Sequence, residues 1–166
     1  SIDMATLSTP GKVAILYGPR RAGKTTLLTS YLQGCGLRYR LETGDNIRMQ
    51  HLLGSADLQE ILAFAEGYHV IAIDEAQEIP GIGTGLKLLV DHRPDLRIIA
   101  TGSSSFDLAG AVGEPLTGRK RTATLYPISQ MELAASLNRF DLKERLPEFL
   151  VYGSYPELVT ASSRKE

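Results

Sequence analysis

A single cysteine, Cys35, stands between Gly34 and Gly36, so no disulfide can form within the chain. Nothing beside it in sequence activates a thiol, and it reads as a buried or incidental one. The lack of bridges fits a reducing cytoplasm. Long apolar runs are missing as well: none approaches the roughly 20 residues a membrane-spanning helix needs. The first residues carry no signal-peptide pattern, and a cytoplasmic location is expected. There is no excess of charge of one sign. The 18 Lys and Arg against 19 Asp and Glu leave a formal net charge of −1. Nothing global therefore draws the chain to nucleic acid or to a lipid surface. Internal repeats and low-complexity tracts are absent. What is present is 43% hydrophobic and 22% charged residues over 166 positions, enough for one domain, or one domain and the start of another.

One stretch dominates. Gly18-Pro19-Arg20-Arg21-Ala22-Gly23-Lys24-Thr25 fits G-x-x-x-x-G-K-[ST] at every fixed position. The apolar run Val13 to Tyr17 feeds it, and Thr26 to Leu32 behind it reads as a helix, so the context is strand, loop, helix. Glycines let the backbone curl until successive N–H groups point at one spot, and the helix N-terminus adds partial positive charge. The pattern predicts a phosphate cradle made by Gly18, Pro19, Arg20, Arg21, Ala22, Gly23, Lys24, Thr25 and Thr26. In it Lys24 reaches the β- and γ-phosphates of a nucleotide and the Thr25 hydroxyl holds Mg²⁺.

Residues Ser1 to Lys12 read as a lead-in loop. Residues 13–17, 69–73 and 96–101 are continuously apolar, as central parallel strands covered on both faces must be. Leu37 to Leu41 alternates and Thr122 to Leu125 alternates weakly, which suits edges. Helices are expected after the loop, from a capping box at Asp57–Glu60, with Leu86, Leu89 and Val90 as one face, and from a second box at Ser129–Glu132. Two further short helices are expected at Asp141–Leu146 and Pro147–Tyr152. Strand and helix in turn predict an α/β fold: a three-layer P-loop NTPase whose five-stranded parallel sheet has the order 5-1-4-3-2, with helices on both faces.

The other strand ends indicate the chemistry. Asp74, closing the strand 69–73, is placed to hold Mg²⁺, and Glu75 to polarise an attacking water. Thr101 or Ser103, at the tip of the next strand, is placed as a polar γ-phosphate sensor, or else makes a turn. Arg119-Lys120-Arg121 precedes the fifth strand and is either a solvated basic loop or a source of positive charge for the γ-phosphate. A GTPase is disfavoured, because no Asp-x-x-Gly follows the strand and Asn138-Arg139-Phe140-Asp141 lacks the guanine-motif lysine. Asp74-Glu75-Ala76-Gln77 also spells a helicase motif, but one motor domain is all that fits. Residues near Met4 to Lys12 and Tyr126 to Ile128 are candidate walls for adenine.

Taken together, Gly-Pro-Arg-Arg-Ala-Gly-Lys-Thr-Thr-Leu, Ile-Asp-Glu-Ala-Gln, Thr-Gly-Ser-Ser-Ser, Gly118-Arg119, and Leu125-Tyr126-Pro127-Ile128-Ser129 with Glu132 resemble a known group. They are similar to the AAA-type (AAA+ superfamily) ATPase domain of predicted bacterial and archaeal ATPases, from about Gly11 to Leu133. The resemblance implies a Mg-dependent ATPase with ATP and Mg²⁺ as cofactors. It also implies an uncharacterised C-terminal domain, whose beginning Tyr152-Gly153-Ser154-Tyr155-Pro156 looks like. The expected organisation is an ATPase domain over 1–135 and a helical segment, 136–166, opening a further domain. The expected function is ATP hydrolysis coupled to a conformational change of that domain or a partner. The alternatives are a P-loop kinase of a small metabolite and a binding switch that hardly hydrolyses. The expected catalytic set is Lys24, Glu75, Ser103 and Arg119, with Arg119 acting in its own chain, across a homo-oligomer or not at all.

Overall fold

Strands form where the apolar runs are continuous. The computed structural model describes residues 2–103, 115–134, 137–152, 154 and 156. In it β1 (Val13–Tyr17), β3 (Val70–Asp74) and β4 (Arg97–Gly102) are the central strands, and β2 (Tyr39–Thr43) and β5 (Lys120–Thr124) are the edges. All pairings are parallel and the order is β2-β3-β4-β1-β5, which is the expected order read from the other edge. Ile15 lies opposite Ala100 on one side and Thr122 on the other.

Because side chains alternate along a strand, the central strands fill two cores. Val13, Ile15, Ile71, Ile73 and Ile98 pack with α3 (Ile47–Gly54), α4 (Leu58–Ala65) and α5 (Ile82–His92) through Leu53, Ile61, Leu86 and Leu89. On the other face Ala14, Leu16, Val70, Ala72 and Ile99 pack with α2 (Lys24–Gly34) through Leu28 and Leu32, and with Met4 of α1 (Met4–Leu7). The layers are helix, sheet, helix.

Several local expectations shift. The supposed lead-in loop contains α1, capped by Asp3, whose carboxylate accepts from the amides of Ala5 and Thr6. Helix α3 carried no expectation at all; Asn46 caps it and its buried residues are Met49 and Leu53. The edge strand β2 is shifted two residues on from the expected Leu37–Leu41, and its covered side is the arginine side. Arg40 stacks 4.6 Å from the Phe64 ring and 4.8 Å from Tyr68, while Tyr39 and Leu41 remain exposed. Strand β5 begins at Lys120, so of the basic triplet only Arg119 precedes it. At Asp57 the box is half formed: its carboxylate accepts from the amides of Gln59 and Glu60, but its own N–H goes to Ser55 Oγ. At Ser129 the box is complete, with Ser129 N–H to Glu132 Oε2 at 3.0 Å and Glu132 N–H to Ser129 Oγ at 3.2 Å. It opens the short α6 (Gln130–Leu133), followed by α7 (Arg139–Glu144) and α8 (Leu146–Tyr152). Ser104, Ser105, Gly153, Tyr155 and residues 157–166 lie outside the described residues.

Candidate functional site

In a parallel sheet the carboxyl ends of the strands open toward one rim, where ligands of such folds bind. Here β1 delivers the phosphate-loop motif to that rim. Leu125 N–H donates to Tyr17 O at 2.7 Å, drawing the chain after β5 so close that a Cβ on Gly18 would lie 2.4 Å from the Leu125 carbonyl oxygen. Only glycine fits there. The loop then makes left-handed turns at Arg21 (φ 64°) and Gly23 (φ 92°), and Gly23 is the N-cap of α2. Within the loop Ala22 is buried and Arg20 is exposed.

Lys24 is more deeply set than a lysine with few core contacts would be: it is 4% exposed and donates to the carbonyls of Gly18 and Pro19, each at 3.0 Å. The loop folds back over the first turn of α2 and supplies those carbonyls. One residue on, Thr25 Oγ1 donates to Asp74 Oδ2 at 2.7 Å. The two residues expected to share a metal ion are therefore in direct contact, one from a helix start and one from a strand end.

Asp74 is held from a second side. Its Oδ1 accepts from the hydroxyl of Thr101, a fully buried residue on β4, and Thr101 Oγ1 in turn accepts from Glu75 N–H at 3.1 Å. Glu75 has left-handed backbone, φ 49° and ψ 44°. Glycine at position 44 makes room for that turn: Gly44 N–H donates to Asp74 O at 2.8 Å, and a Cβ there would lie 2.2 Å from the Glu75 carbonyl oxygen. The Glu75 carboxylate accepts from Gln77 Nε2 at 2.5 Å, and Gln77 Oε1 accepts from Ser103 N–H at 3.3 Å. Of the two sensor candidates, Thr101 thus touches Asp74 directly, whereas the Ser103 main chain meets Glu75 through Gln77. Around this framework lies a pocket of about 210 Å³, lined by Arg21, Gly23, Lys24, Thr25, Thr26, Glu75 and Pro156.

Arg119 is not part of it. Its carbonyl accepts from Val13 N–H at the amino end of β1, and its Nε is 2.6 Å from Asp91 Oδ1. Strands β1 and β5 run parallel from Val13 and Lys120 to Tyr17 and Thr124. Five residues at about 3.3 Å each therefore separate Arg119 from the phosphate loop, roughly 17 Å and beyond the reach of an arginine. The structure does not bring Arg119 to its own chain's phosphate loop. The guanidinium instead hydrogen-bonds Asp91 and holds that carboxyl below its usual range, with Lys87 and His92 adding to the effect.

The residues that motif reading missed are Gly44, Gln77 as a bridge, and Pro156. The first two follow strand ends, where a polar or glycine residue is a weak signal; Pro156 is remote in sequence from everything it faces. Among the described residues no group of three or more His, Cys, Asp or Glu side chains could hold a metal alone. No helix among them is long and apolar enough to cross a membrane.

Comparison with known proteins agrees with this geometry. Residues 10–134 match the family described as AAA domain. Uncharacterised proteins of Mycobacterium bovis and Mycobacterium tuberculosis are each 37% identical over 138 residues, covering 81% of this chain and 30% of the relative. An uncharacterised protein of Methanocaldococcus jannaschii is 26% identical over 167 residues, covering 90% of this chain and 36% of its own length. The chain thus spans about a third of the length of these curated relatives. With the phosphate loop, the acidic strand end and the parallel order all in place, the chain belongs to the AAA domain family.

Proposed function

We propose that this domain binds ATP with Mg²⁺ and hydrolyses it, and that the cycle drives a conformational change in an attached domain or partner. The observation that carries the reading is the hydrogen bond from Thr25 Oγ1 to Asp74 Oδ2. It gathers a hydroxyl and a carboxylate, 49 residues apart, at the mouth of the phosphate loop. Two hard oxygen donors without a full protein cage suit Mg²⁺, which keeps waters and takes further ligands from phosphate. The bound ion would supply charge neutralisation at the β- and γ-phosphates. Lys24 has three ammonium protons; two are held by the loop carbonyls, and the third is left for phosphate. Glu75 would take a proton from the attacking water, its backbone held by Thr101 and its carboxylate by Gln77. Ser103 would form the polar edge toward the γ-phosphate, while the buried Thr101 hydroxyl, engaged by Asp74 and the Glu75 amide, would act through those two residues. Tyr126 and Pro127 border a groove of about 470 Å³ with Ile2 and would wall the adenine.

Residues 1–135 would form the ATPase unit and 136–166 the opening of the attached domain, in keeping with relatives of which the matched part is only 30–36%. A cytoplasmic location belongs to the same proposal. The Gln77–Glu75 hydrogen bond also supports a second reading, a nucleotide switch with slow turnover, because it occupies part of the base. Phosphate release from Mg-ATP, with chelator and with Glu75→Gln as controls, separates the two. Steady release lost in both controls supports hydrolysis. Tight binding without release supports the switch, and phosphate passed to an added metabolite instead of water would sink both.

A further inference from the structure

The phosphate loop is touched at both ends by one braced unit, and half of that unit lies beyond the matched family region. At the first end, the carbonyl of Leu125 packs against Gly18 so tightly that no Cβ fits. At the other end, Pro156 faces Gly23, the N-cap of α2, across the same pocket: its Cγ lies 3.6 Å from where a Cβ on Gly23 would sit. The two contacts are joined. Ile128, three residues after Leu125, donates its N–H to Ser154 O at 2.9 Å, and Ser154 Oγ donates to Ile128 O at 2.5 Å. The path from Gly18 through Leu125, Ile128, Ser154 and Pro156 back to Gly23 is a closed circuit around the loop.

Pro156 is also a wall of the pocket that contains Lys24, Thr25 and Glu75, and its other walls all come from the loop, the start of α2 and the end of β3. A proline suits such a wall. It has no N–H to satisfy and its ring is rigid, so a docked ring would keep water from the flank it covers. Excluding water there lowers the local dielectric and strengthens the pull of Lys24 on an anion.

We infer that Pro156 is a positioning residue of the polyphosphate site, and that docking of Ser154 and Pro156 against the loop and binding of a nucleotide's phosphates favour one another. The inference rests on reading the pocket as a nucleotide site. Linkage makes the effect reciprocal: a segment that improves phosphate binding when docked is itself held more firmly when phosphate is bound. The segment follows α8, so the position of whatever the chain attaches there is tied to nucleotide occupancy without any contact from a distant domain.

The test is calorimetric titration of a non-hydrolysable Mg-ATP analogue into the wild type, Pro156→Ala, Ser154→Ala and Lys24→Ala. Hydrogen exchange of the Ile128 amide is followed with and without the analogue. Both segment variants should bind about fivefold or more weakly, the lower end of ordinary coupling between sites. The Ile128 amide should exchange more slowly when the wild type is loaded, and Ser154→Ala should reduce that protection. Unchanged affinity in both segment variants, with binding lost in Lys24→Ala, would overturn the inference while leaving the nucleotide site standing. Tighter binding in Pro156→Ala would make the proline an obstruction and overturn it too. A wild type that does not bind the analogue would remove the functional reading and this inference together. Circular dichroism of each variant shows whether a loss of binding is a loss of fold.

Discussion

Thr101 occupies a position where a hydroxyl must both donate and accept: it donates to Asp74 and accepts from the amide of Glu75. Valine has the same shape and can do neither. Thr101→Val therefore leaves a half-buried carboxylate oxygen and an amide without this partner, a loss of about 1–3 kcal/mol in thermal or urea unfolding. Phosphate release should fall with it, because Asp74 and Glu75 lose their common anchor. Glu75→Gln should act differently. It keeps the backbone and the analogue affinity but cuts hydrolysis by about 10²-fold or more, since only water activation is removed; turnover equal to wild type would falsify the assignment of Glu75 as the base. Lys24→Ala should abolish binding and also lower the unfolding midpoint, because the Gly18 and Pro19 carbonyls lose their donor. Calorimetry and a melting curve on the same sample check both parts. Lys24, Thr25, Asp74 and Glu75 were legible in the sequence because the phosphate loop and the acidic strand end are contiguous motifs. Gln77 and Gly44 were not, because what they touch is decided by which strands are neighbours rather than by any local spacing.

Helices α3 and α5 meet at a contact with no room to spare: a Cβ on Gly85 would lie 2.3 Å from the carbonyl oxygen of Leu53. Alanine is the better helix former by roughly 1 kcal/mol. Against that, the new methyl meets backbone, which cannot rotate away, and overpacking of this kind costs about 1–3 kcal/mol. Gly85→Ala should therefore destabilise despite its helix propensity, and denaturant unfolding decides the sign. Surface ion pairs belong to the same scale. Arg119 and Arg93 hold Asp91 and Asp95 below the usual carboxylate range, chiefly by hydrogen bonding. A lowered folded pKa gives stability that is complete above the ordinary value of 3.8 and disappears as pH falls through the lowered value. The melting temperature should thus lose this contribution only below about pH 4, and Asp91→Asn should blunt that acid limb slightly, since the pair is solvated. The central strands were readable because they are apolar on both faces. Helix α3 was not: eight residues with His51, Gln50 and a closing glycine present too little of an apolar stripe. The arginine side of β2 was misleading for another reason, since its cover is aromatic stacking on Phe64 and Tyr68 rather than aliphatic burial.

Across the whole molecule, the parallel order puts the phosphate loop and Arg119 at opposite rims of the sheet. If Arg119 serves a γ-phosphate, it serves the site of a second copy, and this is the arrangement we propose. An arginine supplied in this way is worth about 10³–10⁵ in rate. Specific activity should then rise with protein concentration, and mixing Arg119→Ala with Lys24→Ala chains should restore turnover that neither has alone. Activity independent of concentration, with no rescue on mixing, would leave Arg119 as the partner of Asp91 and nothing more. The overall architecture could be read in advance because strand and helix alternate, and with it the rim that Arg119 occupies, since a residue preceding a parallel strand lies at its amino end; the partner Asp91, from α5, could not, because local spacing does not show which elements meet there.

The left-handed backbone of Glu75 has a further consequence for the molecule as a whole. A side chain in that region costs on the order of 1–2 kcal/mol, and glycine is free of most of it. Glu75→Gly is thus an open route to a sturdier protein, and repeated selection for heat resistance alone would converge on it. Such a lineage would keep its shape and its affinity for nucleotide while losing the carboxylate that we propose as the base. Turnover and robustness are set against each other at a single codon.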